Sequence, residues 1–495
     1  MNLAEWMLAR GKARNLGHPA IAFFDEAGCV ETLSYEALEA EIRRFAGGFQ
    51  AAGLLHPGDR VALDLGNARE MPLAFFGAIG AGLVAIPLSD QLTESEVRRV
   101  AEDADIRAII STRFKGFDGV TALGTEALTQ SEDAGFAPTG AEDPAFMVYT
   151  SGTSGKPKGV VHAQRSILGR VPMVDGWTGI EPGDRLLHVG AFNWTYTLGV
   201  GLMDVWASGA TAVRWVGKRP EPRDWPRIIE QTEATVFAAV PSHYRQILKY
   251  TDPGALRFAT LKRALSAGEA LSADLLHEWQ ERTSVPLLES LGMSEISTYI
   301  STGPGMEQKP GSPGRPQPGR RIAVLPEDGG DEPVATGDVG VLAVHRSDPG
   351  LFLKYWNEYA NTGAFRADWF LTGDRASIDR DGYVWFHGRA DDVMTVLGYR
   401  VAPQEVEAAL TGVDCVSEFA VAARAVNDKQ LIAAFIVTEA AFSEAVAALH
   451  ARAEAVLARY KRPHIYLRVK SLPRTASGKL KRKSLQNVSI LETSN

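Results

Sequence analysis

Between Phe146 and His162 the chain reads FMVYTSGTSGKPKGVVH. Four apolar residues, Phe146 to Tyr149, predict a buried strand, and Val160 and Val161 resume apolar character beyond a break. The break is built of hydroxyls, glycines and lysines: Thr150, Ser151, Gly152, Thr153, Ser154, Gly155, Lys156, Pro157, Lys158 and Gly159. Glycines let backbone N–H groups close on a ligand, hydroxyls donate further hydrogen bonds, and lysines bring charge, so the loop suits a polyphosphate. Thr150, Ser151, Thr153 and Lys158 are the expected phosphate contacts; Lys156 ranks below Lys158 because it can point to solvent. The spacing is not that of a Walker loop, so a P-loop NTPase fits poorly. A plain Gly/Ser connector accounts for the glycines, but not for four hydroxyls and two lysines between two apolar strands.

Other stretches carry chemistry less specifically. In LLESLGMSEIS (287–297) a hydroxyl, Ser294, precedes a carboxylate, Glu295. A hydroxyl can hold a phosphate, and one carboxylate is enough for a Mg²⁺ that takes its other ligands from phosphate and water. Alone, the pair equally describes the start of a surface helix. In LSAGEAL (265–271) Gly268 lets a strand edge lie close to a ligand, though a simple strand-to-turn junction reads the same way. In WFLTGDRASIDRDGYVWFHGR (369–389) Asp374 can accept from both hydroxyls of a ribose, and Arg389 can donate to the same sugar. The run DRDG (379–382) reads as a hairpin turn. GRADDVMTVLGYRVAPQEVEAAL (388–410) opens with charges, turns at Gly398 and enters a helix. LPRTASGKLKRKSL (472–485) is strongly basic, which near a chain end usually means a solvated tail.

Taken in order, these motifs resemble the AMP-forming adenylating enzymes: acyl-CoA synthetases, adenylation domains of peptide synthetases, and luciferases. The style of the motifs is nearest to benzoate–CoA-ligase-like members. The resemblance covers about residue 20 to 485 and implies ATP, Mg²⁺ and CoA as co-substrates and cofactor of a small-molecule carboxylate. It makes Thr150, Ser151, Gly152, Thr153, Ser154, Gly155 and Lys158 the phosphate loop. Ser294 and Glu295 take the place of a Thr-Glu pair, Glu295 being the metal ligand. Gly268 and Glu269 meet the nucleotide, and Asp374 with Arg389 hold the ribose. Arg400 contacts phosphate, Gly398 leaves room for the pantetheine arm, and Lys479 is the catalytic lysine of the terminal motif. Asp391 is the pivot between an AMP-binding domain, 1–390, and a mobile domain, 391–495. Where many members have Tyr, this chain has Leu291, as aryl-CoA ligases do. Where many have Lys, it has Thr395, to which no role is carried.

The resemblance also places an acyl pocket at Phe192, Asn193, Trp194, Tyr196, Ala267, Leu291, Gly292 and Met293. Relatives restricted to acetate carry tryptophan at the position of Gly292, so glycine predicts a pocket that continues past it. The wall GAFNWTYTLG (190–199) contains no Asp or Glu, so a substrate ammonium would be buried unpaired at a cost of several kcal/mol. That wall and residues 290–300 contain no Lys or Arg, so a second substrate carboxylate would be equally unpaired. The expected acid is therefore an aromatic or short-branched monocarboxylate of medium size. Trp194 is expected to screen it from the CoA channel, Asn193 to read a hydroxyl, and at least one wall side chain to be ordinary core.

The elements that must position these groups follow from pattern. Residues 34–53 place Leu38, Ile42, Phe45 and Phe49 on one helical face. Residues 72–88 read as a buried helix, a glycine stop and a strand, and Thr93 with Glu96 forms a capping box. Strands alternate with helices at this spacing through 234–240 and 261–271, which predicts an α/β fold: a large N-terminal domain of parallel and mixed sheets with crossover helices. After a Pro/Gly-rich stretch at 304–319 come short strands. The last 100 or so residues fit a small α+β domain with one long helix near 442–459.

Composition excludes several classes. The chain has 495 residues, 45% of them hydrophobic and 23% charged, and a net charge of −8. Nucleic acid and anionic membrane are therefore not expected partners. Two distant cysteines, Cys29 and Cys415, make no disulfide framework and suit a reducing cytoplasm. Neither a signal peptide nor an apolar run of about 18 residues is present. The chain ends just past the lysine motif, so no fused carrier domain is expected. A homodimer and a separate carrier protein as acyl acceptor both remain compatible with the pattern. A nucleotide-binding regulator with a dead site is the alternative of a different class; the joint presence of the loop, Glu295, Asp374 and Lys479 speaks against it.

Overall fold

The computed structural model describes the chain except residues 118, 132, 152–156, 270, 357–362, 390–393, 397–398, 402, 427–428, 458, 476–477, 479 and 495; the side chains of Ser151, Pro157, Pro253, Thr395, Tyr399, Arg400, Lys429 and Tyr460 are also outside the description. Contacts divide it into two compact units, residues 1–321 with 344–370, and 322–343 with 371–495.

The larger unit is α/β, as its alternating pattern requires. One sheet orders its strands Arg315–Pro316, Ser297–Ser301, Leu287–Met293, Arg263–Ala267, Val236–Ala239, Arg185–His188, Thr211–Trp215, Ile21–Asp25 and Gly28–Leu33. From Leu287–Met293 to Ile21–Asp25 every neighbouring pair is parallel. The second sheet runs Lys354–Tyr355, Pro157–Ala163, Pro144–Ser151, Val84–Pro87, Arg60–Asp64, Ile106–Ser111 and Thr121–Leu123. Parallel strands covered by helices on both faces are apolar nearly throughout. Val84–Pro87 and Val236–Ala239 are buried at every position.

Helices form where the pattern predicts them. Tyr35–Ala51 is capped by the Ser34 side chain, and Leu38, Ile42, Phe45 and Phe49 are all buried. Glu70–Gly80 buries every residue from Met71 onward, which its length and lack of charge demand. Glu94–Asp103 starts at the expected capping box: Glu96 N–H donates to Thr93 Oγ1, and Thr93 N–H donates to Glu96 Oε2 at 2.8 Å.

The smaller unit is α+β. Glu418–Val426, Lys429–Val437, Ile465–Val469 and Ile490–Ser494 form a four-stranded sheet. The helices Pro403–Leu410 and Phe442–Val456 bury Val406, Leu410, Phe442, Ala445 and Leu449 in one apolar cluster with Val421, Ile432 and Ile436 of that sheet. The long helix thus ends at Val456, three residues short of expectation; Leu457 is already extended. The 379–382 turn is a hairpin as predicted, its Asp379 carboxylate accepting from the N–H groups of Asp381 and Tyr383. Among the described residues no helix is long and apolar enough to cross a membrane. The turn at Gly398 and the pivot at Asp391 lie outside the described residues.

Thr93→Ala should weaken the Glu94–Asp103 helix by about 1 kcal/mol. The readout is faster hydrogen exchange at the first-turn amides, with Thr93→Ser close to wild type.

Candidate active site

The expected phosphate loop falls between the paired strands of an antiparallel hairpin. Pro144–Ser151 pairs with Pro157–Ala163, and Thr150 stands opposite Lys158 at its mouth. Paired residues share one face of a sheet, so the hydroxyl and the ammonium are presented together. Gly152, Thr153, Ser154 and Gly155 lie outside the described residues, as does the side chain of Ser151.

Ser294 and Glu295 do not begin a helix. They sit in the tight turn between Leu287–Met293 and Ser297–Ser301, which pair antiparallel with a bulge at Leu291–Gly292. Ser297, which closes the turn, has φ +66°, the left-handed region that a non-glycine residue enters only when its surroundings hold it there. The holding groups are named side chains. His162 Nε2 lies 2.8 Å from Ser294 O. Since a carbonyl only accepts, that nitrogen carries the proton. Burial pushes His162 down to about 4, so the ring is neutral, and it stacks on Phe146 with centroids 4.6 Å apart. Arg170 donates to Ser297 Oγ at 2.5 Å while its other nitrogens grip Asp204 at 2.8 and 2.9 Å. Arg320, paired with Asp348 at 2.9 Å, donates to Thr298 O, also at 2.9 Å. Both ion pairs are buried, so neither partner can be removed without stranding a charge.

Glu295 itself is 9% exposed. Its backbone carbonyl accepts from Phe352 N–H at 2.7 Å, and its carboxylate from the Tyr355 hydroxyl at 2.7 Å. Tyr355 links the two motifs, because the Lys158 ammonium lies 5.0 Å from the centre of its ring. Tyr355 stands in the edge strand Lys354–Tyr355, which pairs with Val160 and Val161 just past the phosphate loop. Lys158 and Glu295, remote in sequence, thus meet on the same tyrosine. Among the described residues no three His, Cys, Asp or Glu side chains converge to hold a metal. A divalent ion at Glu295 would therefore draw its remaining ligands from phosphate oxygens and water.

Gly268 adopts φ +92°, so its glycine identity is a backbone requirement as well as a matter of room. The Glu269 carboxylate accepts from Ser242 Oγ at 3.1 Å and Arg245 at 3.3 Å, on the helix Pro241–Tyr250. A second carboxyl, Glu289, ties down the same loop. Leu271 N–H donates to it at 2.9 Å, and burial pushes it up to about 7. In the smaller unit Asp374 and Arg389 are register partners on adjacent strands. Asp374 is 6% exposed, and Arg389 donates to its carboxylate at 3.1 Å and to Thr372 O at 2.8 Å. Gly398, Asp391 and Lys479, and the side chain of Arg400, lie outside the described residues.

The expected pocket wall is mixed in character. Phe192 is fully buried, with the Arg214 guanidinium 4.1 Å above its ring, so this wall side chain is ordinary core. Trp194 and Asn193 are partly exposed, and Trp194 immediately precedes the short helix Thr195–Leu198. Tyr196 donates to Leu265 O at 3.1 Å and stacks on Trp177. Ala267 is buried; Leu291, Gly292 and Met293 are partly exposed. Gly292 has a reason to be glycine that is independent of substrate size. A Cβ there would stand 2.8 Å from Ser297 O, inside the hairpin. Its identity therefore does not by itself predict a deep pocket. Nor is the wall without a cation: it contains no Lys or Arg, but Arg214 reaches it from the strand Thr211–Trp215. His162, Arg170, Arg320 and Tyr355 were not legible as site residues, since each acts through a backbone contact or a single hydrogen bond to a segment 22 to 132 residues away in sequence.

The chain belongs to the AMP-binding enzyme family: residues 8–356 match the family's AMP-binding enzyme domain, and residues 405–479 its C-terminal domain. It is similar to a benzoate–CoA ligase of Thauera aromatica, 31% identical over 98% of this chain and 96% of that one. Two solved structures share its fold. A benzoate CoA ligase from Burkholderia xenovorans LB400 superposes with a TM-score of 0.85 at 27% identity, covering 98% of this chain and 100% of the other. ATP-bound MatB from Rhodopseudomonas palustris gives 0.87 at 26% identity, covering 98% and 99%.

The buried His162 carries a pH signature. The unfolded chain takes up this proton near pH 6.5 and the folded chain only near 4, so between those values the unfolded state binds more protons. Stability should fall as pH falls through that window, by up to about 3 kcal/mol from this group. Urea unfolding of wild type and His162→Gln at pH 7 and pH 5 should show a smaller acid loss in the variant.

Proposed function

We propose that the protein is an AMP-forming carboxylate–CoA ligase. It converts ATP, a medium-size aromatic or short-branched monocarboxylate, and CoA to acyl-CoA, AMP and diphosphate by way of an acyl-adenylate. The observation that carries this reading is the Lys158–Tyr355–Glu295 contact, which brings the phosphate loop and the carboxylate turn together. ATP is supported by the AMP-binding family and by an ATP-bound solved relative; CoA is supported by the names of the benzoate–CoA ligases.

In this reading Thr150, Ser151, Gly152, Thr153, Ser154, Gly155 and Lys158 hold the phosphates, Ser294 holds the α-phosphate, and Asp374 holds the ribose. Gly268 lies against the adenosine. Glu295 would hold Mg²⁺, which would supply positive charge against the phosphates. A carboxylate oxygen of the acid attacks the α-phosphorus, the bond to the β-phosphate oxygen breaks, and diphosphate leaves. Negative charge grows on the phosphate oxygens during this step, and Lys479 and Arg400 stabilise it. The domain 391–495 then turns about Asp391, removes Lys479 and brings the Gly398 face to the adenylate. The CoA sulfur attacks the carbonyl carbon, the acyl–phosphate bond breaks, and AMP leaves. The adenylate is already an activated acyl group, so no side-chain nucleophile is required.

Acid-dependent exchange of labelled diphosphate into ATP tests the first half-reaction, and acyl-CoA formation from supplied acyl-AMP tests the second. Lys479→Ala should abolish the exchange and leave the second reaction largely intact; equal loss in both would overturn the alternating mechanism. Tyr355→Phe strips a hydrogen bond from the Glu295 carboxylate and should slow exchange roughly tenfold, with a raised Mg²⁺ requirement. An exchange rate that ignores both changes would remove Glu295 from the metal site.

A further inference from the structure

The wall of the acyl pocket hides a group of polar atoms that the proposed reaction does not use. Arg214 is 3% exposed. It donates to His188 O at 2.9 Å and to Gly190 O at 3.3 Å, and among the described residues it has no carboxylate partner. Desolvation alone brings it down to about 10. A buried guanidinium of this kind is expensive unless something compensates it. His188, on the neighbouring strand, is buried as well and accepts Gly190 N–H on Nδ1 at 2.9 Å. Burial holds its ring well below the usual histidine range, so the ring is neutral and its proton sits on Nε2. Thr197, from the short helix of the same wall, completes the group: a Cβ on Gly190 would collide with its Oγ1 and would lie 3.1 Å from His188 Nδ1.

Three atoms of this group, His188 Nε2, Thr197 Oγ1 and Arg214 Nε, are buried with no hydrogen-bond partner among the described residues. Buried polar groups are nearly always paired, so three orphans on residues that each meet Gly190 demand a partner. All three can donate, and two can do nothing else. The missing partner is therefore an acceptor. The location selects its source, because Gly190, Phe192, Tyr196 and Thr197 all belong to the segment that forms the acyl wall. The Tyr196 ring lies 4.4 Å from that of His188, and Phe192 lies under Arg214.

We propose that His188, Thr197 and Arg214 form a polar recess that selects acids bearing a hydrogen-bond-accepting oxygen remote from the carboxylate that is activated. A ring hydroxyl on a benzoate-sized acid is the expected form. The oxygen accepts from His188 and Arg214 and offsets the buried charge, while an unsubstituted acid leaves the donors unpaired. Sites that bury polar groups discriminate strongly against analogues that cannot pair them. This inference rests on the proposed ligase activity and names the substrate class within it.

The test is a set of kcat/KM ratios in acid-dependent diphosphate–ATP exchange. The acids are benzoate, 3-hydroxybenzoate, 4-hydroxybenzoate and isophthalate, with butyrate and 3-hydroxybutyrate as the short pair. Exchange with any of them supports the ligase reading, so the ratios bear on the recess separately. Wild type should prefer at least one hydroxylated acid over its unsubstituted partner by about tenfold or more. His188→Phe and Arg214→Met should bring that ratio close to one, and His188→Gln, which keeps a donor, should restore part of it. A preference for isophthalate would support the recess while overturning the monocarboxylate reading. Wild-type ratios near one for every pair would overturn the proposal, leaving water as the occupant. So would a hydroxyl preference that survives in both variants.

Discussion

Everything proposed for the large unit depends on the turn that carries Ser294 and Glu295 being held still. A tight hairpin turn closed by a left-handed serine is not a low-energy conformation in isolation. Here each flanking group is tied: Ser294 O to His162, Glu295 O to Phe352, Ser297 Oγ to Arg170 and Thr298 O to Arg320. The ties come from segments spread over residues 162 to 352, so the turn cannot relax without moving several elements at once. Such over-determination is what lets a strained backbone persist at a site where charge must be placed accurately.

The electrostatics of the site follow from the same ties. His162 is neutral because it is buried, so it ties the turn without adding a charge beside Glu295. The two buried ion pairs, Arg170–Asp204 and Arg320–Asp348, bring two charges of each sign, so they brace the hairpin without biasing its net charge. Tyr355 does two jobs with one side chain. Its hydroxyl orients Glu295, and its ring face offers Lys158 a weakly attractive resting place in the absence of phosphate. The site is thus organised before a nucleotide arrives, which lowers the entropic cost of binding one.

The expected acyl wall carries unpaired polar groups: among the described residues it leaves donors without partners around Gly190 and keeps an arginine buried with no carboxylate beside it. Residue composition of the wall segment alone, GAFNWTYTLG, gave the impression of an uncharged surface, because the charge comes from a neighbouring strand. Gly292 teaches the same caution. A glycine can mark empty space for a substrate, but here its missing Cβ is required by the carbonyl of Ser297 across the hairpin.

The sequence by itself determined the family and the α/β class, and it singled out the Gly/Ser/Thr/Lys loop and the Ser294–Glu295 and Asp374–Arg389 pairs as candidates. These are local signals: a loop composition, a period of apolar residues, a capping box or a short motif is written in contiguous residues. It also determined most helices, since Leu38, Ile42, Phe45 and Phe49 share a face wherever the helix lies. What only the tertiary structure decided is who holds those motifs. The roles of His162, Tyr355 and Arg170 arise from strand pairing and helix packing between distant segments, and a hydrogen bond to a backbone carbonyl leaves no trace in residue type. Glu289 holds the loop after Arg263–Ala267 for the same reason: strand pairing sets Glu289 opposite Ser266, and from there its carboxylate meets the Leu271 N–H.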